Sequence, residues 1–413
     1  MDIDMIKYIK EFTDERYLNK KEVMYRLPAP LTINDFWPTL LEHRKQKSIE
    51  TIFKDQHDQH FWFVLTEEIR KRLELIENEA TKNAFSFVDK KTQHEAILNA
   101  LIDEAFFSSV IEGAFSTKKK TAEMINKKLK PKDKSEQMIL NNYFALEYIL
   151  ENLSAPIDEY MILKIYNIVT ENTLAPDDIV EKYRNDYVYV MNNMGDRVIY
   201  QPPHHSQVQN LINELVAFIN TDDGQHPIIK ACIIHFYFVY IHPFFDCNGR
   251  TARAISYMYL LKNGYNFFKF FSISSVINSE KQKYYKALKD TEDYEADLTY
   301  FIDFYSRMIL NSIARIEEKF AKEFHKKVIQ VFLDRQNIAL TKRQRKFIEF
   351  SIRSNKHIIS IEEYQKKFKV SYETARTDLN HLTEYGLLKK SKQGKKYIYR
   401  LADYNEISAM LEE

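Results

Sequence analysis

Apolar and polar positions divide this chain sharply. Two stretches, 228–240 and 254–261, are apolar almost all round, the signature of helices buried on every side. Between them lies a short polar segment, 241–253, and everything else is arranged around that interruption. Upstream, 31–49 and 61–81 carry helical periodicity with Trp37, Phe61, Trp62 and Phe63 as aromatic core positions. The pattern predicts further helices at 93–113, 138–152 and 157–171, broken at Ala155-Pro156 and Ala175-Pro176. At 182–201 the period changes to two: Val188, Val190, Val198 and Tyr200 alternate around the turn Asn192-Asn193-Met194-Gly195-Asp196, and Pro202-Pro203 closes a hairpin. A helix from Ser279 to Leu288 and a long charged helix over 311–334 follow. The last segment reads as helix (361–368), turn, helix (371–382), then a lysine-rich turn (389–396) and a returning strand at Tyr397-Ile398-Tyr399.

Length and composition narrow the class. With 413 residues there is room for two or three domains. Only 7 glycines occur, well below average usage, as expected of a helix-rich protein. No apolar run reaches the roughly eighteen residues a membrane span needs. The amino terminus, Met1-Asp2-Ile3-Asp4-Met5, is acidic where a secretion signal is basic. Cys232 and Cys247 provide no disulfide framework. The expectation is a soluble, cytoplasmic protein that is not membrane-bound. Charge is near balance overall, 60 basic residues against 59 acidic, but it is unevenly distributed. Residues 340–401 hold about ten excess positive charges, leaving about −9 elsewhere.

The polar interruption is His242-Pro243-Phe244-Phe245-Asp246-Cys247-Asn248-Gly249-Arg250-Thr251-Ala252-Arg253. Pro243 ends the first helix and biases His242 toward extended backbone. Asp246 or Asn248 can cap the second helix, and a helix start beside Gly249 is a place for an anion. Arg250 and Arg253, three apart on one face, can reach the same polyphosphate. Asp246 offers the hard oxygen that Mg²⁺ takes, and His242 is the nearby group able to accept a proton near neutral pH. Phe244 packs the loop onto the core. Together these residues point to nucleotidyl or phosphoryl transfer. Further upstream, Gly113 reads as a helix-ending glycine, so Glu112 sits at a helix C-terminus, where the dipole disfavours it.

The segment 242–253 resembles the core signature of the Fic (Fido) family, His-Pro-Phe-x-Asp/Glu-Gly-Asn-Gly-Arg-x-x-Arg. Every fixed position is present except the first glycine, here Cys247, where a side chain disfavours positive φ. The resemblance implies a mainly α protein: a Fic helical domain with a β-hairpin flap, plus a C-terminal winged-helix domain. It also implies transfer of AMP from Mg·ATP to a Ser, Thr or Tyr hydroxyl of a protein, releasing pyrophosphate. In that scheme His242 is the base, Asp246 the Mg²⁺ ligand, and Cys247, Asn248, Gly249, Arg250 and Arg253 the phosphate site. Tyr284, in the pair Tyr284-Tyr285, would line an adenine pocket. Residues 108–113 match the family's inhibitory helix, so Ser108, Glu112 and Gly113 would restrain Arg253 within the same chain. Val198, Ile199, Tyr200 and Gln201 would be the flap strand that docks the target. Relatives also remove AMP with that glutamate, so a de-AMPylase is an alternative. The tail is similar to the winged-helix family, with Tyr372 and Arg376 on the helix that would face DNA. Such modules also make homodimers, and a DNA-binding regulator with a vestigial or nucleotide-sensing Fic site is the other class. The expected domains are 1–90 (helical), 91–312 (Fic), 313–339 (linking helix) and 340–413 (winged helix).

Overall fold

The computed structural model describes residues 3–81, 90–191, 197–354, 358–394, 396–403, 406–407 and 409–410. It divides into two compact units, Met1–Ile313 and Ala314–Glu413. The expected hairpin turn Asn192–Asp196 and Lys395 of the lysine-rich turn lie outside the described residues.

The first unit opens with α1 (Ile3–Lys10), α2 (Lys20–Met24) and α3 (Ile33–Gln46) around a small core of Ile9, Phe12, Val23, Phe36, Trp37 and Leu40. The antiparallel pair β1 (Ser48–Lys54) and β2 (His60–Val64) and then α4 (Glu67–Thr81) follow. The helical period read from Phe61 is thus wrong for its first four residues. Phe61, Trp62, Phe63 and Val64 are all buried because β2 is covered on both faces, and a fully buried strand shows no alternation. Main-chain bonds from Trp62 to Ala296 and Leu298 hold this hairpin to the later helices.

The helical body comprises α5 (Lys90–Ile111), α6 (Lys118–Asn126), α7 (Lys134–Glu151) and α8 (Glu159–Thr170). The short strands β3 (Val190–Met191) and β4 (Val198–Tyr200) pair antiparallel, and α9 (Val208–Asn220), α10 (Pro227–Ile241) and α11 (Asn248–Lys262) follow. In α10 every residue except Pro227 and Val239 is buried, and in α11 every residue except Gly249 and Lys262. The two pack on each other at the centre, with α9 against α10 and α7 and α8 against α11. Burying a single Ile or Leu side chain stabilises by about 1.5–3 kcal/mol, so this pair is a rigid mount for the loop joining it. The body ends with α12 (Ile273–Ser279), α13 (Lys281–Asp293) and the start of the 37-residue α14 (Thr299–Arg335). No helix of the described residues is long and apolar enough to cross a membrane.

In the second unit, α15 (Lys342–Ser354), β5 (Ile358–Ser360), α16 (Ile361–Phe368), α17 (Tyr372–Glu384), β6 (Leu388–Gln393) and β7 (Lys396–Leu401) form a winged helix with strand order β5-β7-β6. Ser360 and Glu363 form a capping box on α16, and Ser371 caps α17. Tyr364, Leu379, Leu382, Leu387 and Tyr399 fill the core. On α17, Tyr372 (50% exposed) and Arg376 face outward.

Candidate active site

The loop between α10 and α11 begins at His242, and its backbone is not extended. His242 adopts φ 50°, ψ 60°, a left-handed conformation, and its N–H donates to Phe238 O at 3.1 Å. A side chain in this region costs about 1–2 kcal/mol, and Pro243 next in sequence does not relieve it. What outweighs the local preference is Arg184. Its side chain donates from Nε to His242 O (2.8 Å) and from Nη2 to Ile241 O (3.4 Å), while its main-chain N–H donates to Pro243 O (2.9 Å). The His242 ring lies 3.2 Å from Val239 O through Nδ1. A carbonyl only accepts, so the proton is on Nδ1 and Nε2 keeps its lone pair. Burial pulls the imidazole down to about 4, the Val239 bond opposing this and the Arg184 charge adding to it. At neutral pH the ring is an uncharged base.

Phe244 is fully buried and stacks on Tyr166, with centroids 3.5 Å apart and planes at 6°. Asn248 clasps the same residue: Phe244 N–H donates to its Oδ1 (3.0 Å) and its Nδ2 donates to Phe244 O (2.8 Å). Asp246 Oδ1 accepts from Cys247 N–H at 2.5 Å. Neither side chain therefore caps α11, contrary to the capping expected of them; Cys247 occupies the cap position and no side chain bonds there. The first N–H groups of α11 stay available, and a helix start in that condition favours an anion. Cys247 takes the positive φ (70°) that a glycine adopts more easily.

The two arginines differ in how they are held. Arg250, 1% exposed, has Nη2 at 2.6 Å from Cys247 Sγ, while Nε and Nη1 have no partner. Arg253, also buried, donates from Nε to Ser108 Oγ (2.8 Å) and from Nη2 to Ser108 O (2.9 Å) and Glu112 Oε1 (2.8 Å); Nη1 has no partner. Buried guanidinium donors left without acceptors are costly, and an incoming anion would satisfy them. Glu112 is fixed by the end of α5. Gly113 at φ 94° donates to Val110 O and Ala114 to Ser109 O, the paired bonds of a Schellman ending. Burial pushes the Arg253 guanidinium down, but the Glu112 charge beside it helps outweigh that and hold it above its ordinary value. A Cβ on Gly249 would lie 2.1 Å from Glu112 Oε1, so the carboxylate rests directly on the first turn of α11.

Asp246 is the one carboxylate of the loop. No group of three or more His, Cys, Asp or Glu able to hold a metal occurs among the described residues. A divalent ion here would need phosphate or water oxygens to complete its shell, and the orphaned arginine donors and open helix start fit such a phosphate-bound ion.

Tyr284, expected to line an adenine pocket, lies on α13 beside α10. It is buried, its hydroxyl 2.9 Å from His235 Nε2, whereas Tyr285 keeps partial exposure and donates to Ile111 O (3.2 Å). In the flap, Val198 (46%) and Ile199 (37%) are exposed. The Tyr200 hydroxyl donates to Tyr240 O (2.7 Å), and Gln201 O accepts from Gln56 (2.8 Å). Sequence reasoning missed Arg184 and Tyr166. Each is a single polar-tipped residue in an unremarkable context, and only the folded neighbourhood shows what it touches.

Residues 156–260 match the Fic/DOC family model, and residues 346–400 match a DeoR-like helix-turn-helix domain. A protein adenylyltransferase Fic of Drosophila ananassae is 27% identical over 248 residues, covering 57% of this chain and 45% of the relative. One of Nematostella vectensis is 28% identical over 180 residues, covering 41% and 40%. The chain thus spans about half or less of the length of these curated relatives. A crystal structure of a Fic family protein from Desulfovibrio desulfuricans G20 aligns with TM-score 0.52 at 19% identity, covering 82% of this chain and 96% of that one, a likeness of fold.

Proposed function

For a chain that carries a Fic/DOC domain at 156–260 and a DeoR-like helix-turn-helix domain at 346–400, we propose the transfer of AMP from Mg·ATP to a Ser, Thr or Tyr hydroxyl of a target protein. The observation that carries this reading is the pairing of a neutral, Nε2-unprotonated His242 with two buried arginines whose donors lack acceptors. His242 Nε2 takes the hydroxyl proton, the oxygen bonds to the α-phosphorus, and the bond to the β-phosphate bridging oxygen breaks to release pyrophosphate. Arg250 and Arg253 hold the tail, and the α11 N–H groups receive phosphate oxygens. Asp246 would hold Mg²⁺, which when bound neutralises phosphate charge. The flap, Tyr183 to Gln201, presents the target, the exposed Val198 and Ile199 edge accepting an extended segment by strand addition. Glu112, seated over α11 and bonded to Arg253, keeps the resting site restrained. The two buried free cysteines support a reducing compartment such as the cytoplasm.

The test is incubation with ATP labelled at the α-phosphate and Mg²⁺, read as label on protein. Incorporation is expected to be level between pH 6 and 8. It should fall as acid protonates His242 through its depressed value of about 4, with far-UV circular dichroism confirming that the fold persists. A midpoint near the ordinary histidine value of about 6.5 would refute the buried neutral base. The same depression also acts on stability: unfolded histidine binds its proton first, so the contribution is intact above about 6.5 and is lost as pH falls toward 4.

Cys247→Gly gives a separate prediction. Removing Sγ returns Nη2 of Arg250 to the phosphate site, and glycine adopts φ 70° without strain. A non-hydrolysable ATP analogue is expected to bind about fivefold more tightly by calorimetry, about 1 kcal/mol, in the range of one net hydrogen bond. Unchanged or weaker binding would mean that the thiol does not compete for Arg250.

A second reading concerns the second unit. Tyr372 and Arg376 are exposed on α17, and Lys389, Lys390, Lys392 and Lys396 are exposed on β6 and β7, which supports DNA contact. Duplex DNA should be retarded in a salt-dependent manner, and Arg376→Ala should lower the slope of log affinity against log salt by about one unit. Retardation unaffected by this change and by salt would reject the reading.

A further inference from the structure

Arg184 stands between the flap and α10. It is 2% exposed, and among the described residues no ion pair engages it. Its partners are main-chain carbonyls. Nε donates to His242 O (2.8 Å), Nη1 to Asp186 O (3.1 Å), and Nη2 to Pro203 O and Ile241 O. Two of these carbonyls, Ile241 and His242, terminate α10, where helix carbonyls lack intrahelical partners and the dipole is negative. The other two, Asp186 and Pro203, are the two feet of the flap. One planar guanidinium therefore stitches the segment that presents a target to the residue that would take its proton.

We propose that Arg184 is a positioning residue for AMP transfer: it fixes the left-handed His242 backbone and the flap in one register, so that a docked hydroxyl meets Nε2. This rests on the transfer reading above. The physical need is specific. His242 at φ 50° before Pro243 is a conformation the local sequence resists, and it persists only when the surroundings over-determine it. Arg184 supplies that determination from both sides, through its side chain on His242 O and its own N–H on Pro243 O (2.9 Å). Tyr200, whose hydroxyl bonds Tyr240 O, adds a second tie at the far strand but does not reach His242. Among the described residues Arg184 makes no hydrogen bond to Arg250, Arg253 or Glu112, so its loss should leave nucleotide binding alone. The imidazole senses it as well, since the nearby cation is one of the influences that keep His242 unprotonated.

The test uses the full chain with Glu112→Gly, alone and combined with Arg184→Lys or Arg184→Met. Four quantities are read: label transfer, affinity for a non-hydrolysable ATP analogue, thermal midpoint, and the His242 titration by NMR of ¹³C-labelled histidine. Arg184→Met is expected to lower transfer about a hundredfold while analogue affinity stays within about twofold, because misplacing a reacting pair by about 1 Å has that cost. The His242 midpoint should move up from about 4. Arg184→Lys should fall between, since a point cation does not span four carbonyls, and it decides the matter if the methionine variant does not fold. Unchanged transfer in a folded Arg184→Lys or Arg184→Met variant overturns the proposal. So does a loss in which transfer, analogue affinity and thermal midpoint decline together, which would make Arg184 fold support only. Absence of transfer in Glu112→Gly with Arg184 intact would instead refute the transfer reading, and the His242 titration would then still report whether Arg184 sets the imidazole.

Discussion

Replacing Glu112 with glycine is expected to raise AMP incorporation about 10- to 100-fold over the unmodified chain. The restraint removed is one charge-assisted hydrogen bond, Arg253 Nη2 to Glu112 Oε1 at 2.8 Å. Such bonds are worth about 1.5–3 kcal/mol, and every 1.4 kcal/mol is tenfold in an equilibrium. The same change removes a carboxylate from the first turn of α11, where a Cβ on Gly249 would already collide with it. Stability should move the other way. Arg253 is buried, and losing Glu112 removes its charged acceptor while the bonds to Ser108 remain, so the ligand-free variant should lose about 1–3 kcal/mol. Saturating nucleotide should restore that loss, giving a larger ligand-induced rise in melting temperature than in the parent chain. Equal incorporation in both proteins would remove Glu112 from any regulatory role.

His242→Ala carries the other large effect: incorporation should drop at least about a thousandfold, within the usual contribution of a positioned general base. The nucleotide analogue should bind within about twofold of the parent, since among the described residues the ring bonds Val239 O and the phosphate donors lie on α11. In combination with Glu112→Gly the alanine should dominate, because freeing the phosphate site does not replace a missing base. Persistent label in the double variant would mean that another group takes the proton, and the catalytic assignment would fail.

Much of this site was legible from residue order alone, for identifiable reasons. The helices α10 and α11 are apolar on nearly all faces, so any polar residues between them had to be purposeful. Arg250 and Arg253 are three apart, and helical geometry alone puts them on one side. Gly113 marked the end of α5, and the Schellman bonds there follow from its lack of a Cβ. Where the reading failed, a long-range contact overrode a local preference. His242 is left-handed despite Pro243 because Arg184, fifty-eight positions earlier, holds its carbonyl. Asn248 does not cap α11 because its amide is occupied by both main-chain groups of Phe244. Phe61 to Val64 form a strand because β1 and the backbone at Ala296 and Leu298 supply their hydrogen-bond partners.

Sequence alone determined the mainly helical class, the helix-turn-helix and returning strand of the second unit, and the residues of the loop, since periodicity, turn chemistry and spacing are local properties of the chain. Only the tertiary structure decided which ring nitrogen of His242 is free and that Arg184 joins flap to loop. Those outcomes depend on burial and on partners far away along the chain, and no local pattern encodes either.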